Sequence, residues 1–151
     1  MIYIEYEELV QAQQRTVRAY EAVLEEQERL FEMTQPQGVD YQGDRVQSSP
    51  TSTAIDRYVE AKEKAGIDRK KAELMEVIGE REELIRLKKN ELYASQRLED
   101  KVYRMRVLER AKVPEIARKT HYTTRQIYRI LRRISDRVKK MSQNDTNDVL
   151  E

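Results

Sequence analysis

The chain has no cysteine and no tryptophan, and only one phenylalanine, one histidine and four glycines among 151 residues. Each scarcity excludes something. Without cysteine there are no disulfides and no thiolate metal sites, a composition that fits a cytosolic protein. The lone His121 leaves no histidine-based triad and no multi-histidine metal site, and no glycine-rich phosphate loop or dinucleotide motif takes their place. Neither catalysis nor a cofactor is expected. The opening MIYIEYEEL meets Glu5 after a very short apolar run, so it reads as neither signal peptide nor anchor, and no later run approaches membrane-spanning length. With 38% charged residues and so few aromatic carbons, a large globular core is not expected either.

What the chain has is charge, distributed with polarity. The formal net charge of +1 conceals it: residues 101–141 hold 14 Lys/Arg against 3 Asp/Glu, while the remainder holds 15 basic and 25 acidic residues. One end is therefore strongly basic and the rest acidic. A basic end attracts a polyanion by counterion release, and the acidic part stays off it.

Apolar periodicity predicts helices throughout. Residues 1–33 read as an amphipathic helix, with Tyr6, Val10, Val17, Tyr20, Leu24 and Phe31 on alternating three- and four-residue steps, and Gln13 and Gln27 in the gaps. Such a face requires a partner helix, in the same chain or in another copy. Residues 34–52, rich in Pro, Gly, Ser and Gln, read as a polar linker. A long helical region follows at 53–92, capped by Thr53 with Asp56 in its first turn and expected to bend or break at Gly66-Ile67-Asp68. Another helix at about 95–110 places Leu98, Val102, Met105 and Leu108 on one face. The last ten residues, 142–151, read as a flexible tail.

The most informative stretch is VPEIARKTHYTTRQIYRILRRISDRV, residues 113–138. Pro114 suits the first turn of a short helix, His121-Tyr122 makes a turn, and Thr123 with Gln126 forms a capping box for a second helix. Ile116 and Ala117 face inward, as do Ile127, Ile130, Leu131, Ile134 and Val138. The opposite face of the second helix carries Thr124, Arg125, Tyr128, Arg129, Arg132 and Arg133. This is the pattern of a helix-turn-helix that reads duplex DNA in the major groove. By position, Thr124, Arg125, Tyr128 and Arg129 are expected at base edges. Arg132, Arg133 and Arg137 are expected on phosphate or in solvent, and Arg118 and Lys119 on the sugar-phosphate backbone. Thr123 is the cap, and for Gln126 capping competes with base contact.

Over residues 96–140 the sequence resembles the fourth region of sigma-70-type factors, carried by EIARKTHYTTRQIYRI. The wider layout resembles small phage transcriptional regulators of the ArpU and RinA type, which join an N-terminal helical segment and a polar linker to such a domain. The resemblance implies control of phage late genes in the cytoplasm of a bacterial host, together with host RNA polymerase. His121 stands where that pattern usually has glycine, so it must accept an unusual backbone conformation or the turn differs.

The expectation is an all-α protein: a long helical hairpin or coiled coil plus a C-terminal helix-turn-helix domain at 93–141. Its partners would be double-stranded DNA, host RNA polymerase and, through the N-terminal helices, a further copy of itself, with no membrane. Two other readings share these features. A small terminase subunit would recognise viral DNA for packaging, and a helical adaptor would turn its basic face to an acidic protein.

Overall fold

The computed structural model describes residues 1–35 and 53–148, and among these there is no strand. Six α-helices follow in chain order: α1 (Ile2–Thr34), α2 (Ala54–Ala65), α3 (Ile67–Ala94), α4 (Leu98–Tyr103), α5 (Val113–Thr120) and α6 (Thr124–Asp148), with a π-helical turn at Arg104–Leu108 continuing α4. The protein is all-α. No helix among the described residues is long and apolar enough to cross a membrane. The polar linker read at 34–52 lies outside the described residues from position 36 onward, as does the tail beyond position 148. Two compact units are present, Met1–Gln13 with Glu80–Glu151, and Gln14–Gly79.

The first unit holds the main core. Val113, Ile116 and Ala117 of α5 meet Ile127, Ile130 and Ile134 of α6, with Leu92, Val102, Tyr103 and Ala111 in the same cluster. Leu98, Met105, Leu108, Leu131 and Val138 pack on it partly buried, as their helical spacing predicts. Periodicity does not reveal that the first turn of α1 belongs to this core. Tyr3 is fully buried and stacks on Tyr103 with ring centroids 5.3 Å apart. Its backbone N–H donates to Asp100 Oδ1 at 3.1 Å, and Asp100 Oδ2 accepts from the Ser95 hydroxyl at 2.7 Å. The buried carboxylate is thus hydrogen-bonded on both oxygens, which is the condition for keeping a polar group inside. Residues 1–33 are therefore not a self-standing segment. Their first turns complete the C-terminal core. In this unit α1 and α3 run antiparallel, joined by Lys88 to Glu5 at 2.6 Å and Arg81 to the Ala12 carbonyl at 3.0 Å.

Three boundaries differ from expectation. The helix read at 95–110 starts at Leu98, because Ser95 turns inward to Asp100 and accepts the Arg97 N–H. It also ends early, in the π-helical turn: the Glu109 N–H reaches the Arg104 carbonyl, and Arg110 adopts φ 55. At the other end, α6 continues to Asp148 rather than fraying after Met141. Ser142 anchors this extension, its hydroxyl lying 3.1 Å from both the Val138 carbonyl and Gln11 Oε1.

In the second unit α2 begins with the predicted cap: the Thr53 hydroxyl accepts from the Asp56 N–H, and the Asp56 carboxylate accepts from the Thr53 N–H. The chain breaks at Gly66, which takes φ 64 between α2 and α3 and is the residue best able to do so. Gln27 of α1 bridges this unit, donating to the Tyr58 hydroxyl at 2.9 Å and accepting from Lys71 at 3.2 Å.

Candidate nucleic-acid interface

α5, the three-residue turn 121–123 and α6 form a corner whose geometry is locally encoded. Pro114 sits in the first turn of α5, where its missing N–H costs no hydrogen bond. At the other end His121 takes φ 60 and ψ 29, and both its N–H and that of Tyr122 return to the Ala117 carbonyl. The unusual conformation expected of His121 is thus adopted. The adjacent Thr120 hydroxyl bonds the Ile116 carbonyl at 2.7 Å, which accommodates a polar residue near the core. The capping box then forms as read: the Thr123 N–H donates to Gln126 Oε1 at 2.9 Å, and the Gln126 N–H donates to Thr123 Oγ1 at 3.3 Å. Gln126 Oε1 also lies 3.1 Å from the Thr123 hydroxyl, so its oxygen is committed to the cap and only its amide NH₂ remains for a ligand.

With Ile127, Ile130 and Ile134 inward, the outer face of α6 is set. Thr124, Arg125, Tyr128, Arg129, Arg132 and Arg133 are all exposed, Tyr128 to 62%. Arg125, Arg129 and Arg132 follow one another at helical spacing over about 10 Å of axis. Among the described residues none pairs with them or with Arg118. Their guanidinium groups are available to a ligand. Asp136 occupies the next position in the same row and is also exposed. A carboxylate there repels phosphate, so it interrupts the cationic row after Arg132 and Arg133, one turn before the exposed Lys139 and Lys140.

The remaining cations divide. Lys119 shares its charge with Glu115 one turn earlier, at 3.3 Å. Arg133 stands 3.8 Å from Glu99 and is still 61% exposed, a loose pairing that leaves it accessible. Arg137 is different: it donates to Glu99 Oε2 at 2.6 Å and to the Tyr3 hydroxyl at 3.3 Å, and Tyr3 in turn donates to Glu99. That triangle ties α6 to α4 and to the first turn of α1. Arg137 is thus a structural residue rather than one left in solvent. Burial raises the pKa of the Tyr3 hydroxyl and, with help from the Glu7 carboxylate it bonds, that of Tyr103, so both remain neutral donors.

Sequence reasoning did not single out Arg110 and Lys112. Both are exposed where the chain enters α5, and they extend the positive charge to the start of that helix. The available signal was their place in the run ERAKVP, just before the proline that opens a helix. Among the described residues no cluster of His, Cys, Asp and Glu could hold a metal ion. The chain matches no family model, no curated protein and no solved structure.

Proposed function

We propose that this protein is a sequence-specific DNA-binding transcriptional regulator that presents α6 to the major groove as the recognition helix of a helix-turn-helix. The observation that carries the reading is the outer face of α6. It has three arginines in register and, among the described residues, without partners, flanked by Thr124 and Tyr128, on a helix fixed by a capping box and a packed core. Major-groove readout needs this combination: donors that reach guanine edges and a scaffold that does not move when they do. The basic 101–141 segment supplies phosphate affinity, with Arg118, Arg110 and Lys112 at the first helix as candidates for contacts that set orientation. The likeness to phage regulators with a sigma-region-4-like domain favours an activator of late genes that works with host RNA polymerase.

Selection of genomic fragments by the purified protein tests this. One enriched site upstream of an operon is expected. Enrichment at a packaging start would point to a terminase subunit, and no duplex affinity at low salt would end the DNA-binding reading. On the selected site, Arg125→Ala should lower the affinity for that site relative to unrelated DNA by about tenfold or more, the cost of one bidentate base contact. Arg132→Ala should weaken both DNAs alike. Equal losses for Arg125→Ala on both would remove it from base readout.

A further inference from the structure

Between its inward face and its outer row, α6 has a flank with a pocket of its own. Gln126, Arg129 and Arg133 descend this flank at helical steps, and with Ile130, Tyr122 of the turn and Leu98 of α4 they line a space of about 210 Å³. Its polar inventory is one-sided. The Gln126 carbonyl oxygen is committed to the cap, so the amide NH₂ is what that side chain can offer. Arg129 has no partner among the described residues, and Arg133 has the loose contact with Glu99 at 3.8 Å. Glu99 does not depend on Arg133, since its other oxygen accepts from Arg137 at 2.6 Å and from the Tyr3 hydroxyl. No carboxylate lines the pocket, and the exposed Tyr122 brings a hydroxyl that can donate as well. Cations and donors beside an apolar wall, here Leu98 and Ile130, suit an anion carried on a carbon skeleton.

We propose that this pocket seats one sugar-phosphate unit of the DNA backbone, with the anionic oxygens among Gln126, Arg129 and Arg133 and the deoxyribose against Leu98, Ile130 and the Tyr122 ring. The inference rests on the DNA-binding reading. It adds which flank of α6 meets the wall of the groove, and it gives Gln126 a ligand other than a base edge. Two observations favour the backbone over a free anion. The pocket is larger than a bare oxyanion needs, and its apolar wall has nothing to offer one. It also borders the row of Arg125, Arg129 and Arg132 and shares Arg129 with it. A duplex whose base edges meet that row brings a sugar-phosphate strand to this flank.

The test uses the full chain and the duplex it selects, with each phosphate of the site replaced singly by a neutral methylphosphonate. One linkage should stand out. Neutralising it should weaken binding by the wild type about tenfold, the worth of a charge-assisted hydrogen bond. The same change should weaken binding by Arg133→Gln less than about twofold, because that contact is already lost. Gln126→Glu separates ligand from scaffold. Glu serves a capping box as well as Gln does, so the urea midpoint should hold or rise, while the added carboxylate should lower affinity for selected and unrelated DNA alike. Unchanged affinity for Gln126→Glu, a loss confined to the selected sequence, or no linkage that distinguishes wild type from Arg133→Gln would each overturn the seat and leave the DNA-binding reading standing. Competition by inorganic phosphate beyond that of chloride at equal ionic strength would overturn it in favour of a free anion. Absence of any duplex affinity at low salt would remove the reading and the seat together.

Discussion

His121 carries the clearest single-residue strain in the candidate interface. An L-residue in the left-handed region costs about 1–2 kcal/mol, and glycine escapes this at the expense of roughly 0.4–1 kcal/mol of extra freedom in the unfolded chain. At φ 60, His121→Gly should therefore stabilise the protein by up to about 1 kcal/mol, and a β-branched His121→Val should destabilise it by at least that much. Urea titration decides; a lowered midpoint for the glycine variant would mean that the imidazole contributes contacts outweighing the strain. The position was legible in the sequence as a departure from the glycine expected there. Arg137 was not. Its partner Glu99 lies 38 residues earlier, and nothing local distinguishes it from Arg132 or Arg133. Side chains that act at a distance along the chain look solvated until the fold brings their partner to them.

The capping boxes show the opposite case at the level of the helix. Thr123 with Gln126 was readable as a reciprocal box and Thr53 as a cap, though not the answering bond from Asp56, because the groups that satisfy a helix's first N–H donors lie within four residues. Thr123→Ala should cost about 1 kcal/mol. Gln126→Ala should cost less, and the double variant less than the sum, since one reciprocal pair is lost only once. Additive losses in denaturant midpoints would show that the two residues stabilise α6 separately. The helices themselves, the break at Gly66 and the inward face of α6 were legible for the same local reason. Hidden from periodicity was the destination of α1. Its stripe announces a buried face, yet only the structure shows Tyr3 inside the C-terminal core, stacked on a tyrosine one hundred positions away. The π-helical turn at Arg104–Leu108 was likewise unreadable, because its hydrogen bonds run five residues back without a glycine or proline to mark them.

For the molecule as a whole, the polarity of charge sets how the proposed DNA binding should respond to salt. Duplex DNA binding by the basic segment, the proposed role, would release counterions, and each phosphate neutralised would contribute a slope of about −0.9 to the dependence of log affinity on log salt. Arg129→Ala, if its guanidinium reaches phosphate, should flatten that slope by about one, whereas a base-edge role would leave the slope and reduce discrimination between sites. Asp136→Asn should have the converse effect on affinity, strengthening binding to every sequence, because it removes the carboxylate that interrupts the cationic row on α6. A DNA affinity insensitive to salt would contradict the phosphate contacts proposed for the basic segment. A steep DNA slope with Asp136→Asn unchanged would instead move the edge of the interface, leaving α6 in the groove but ending its contact before the fourth turn.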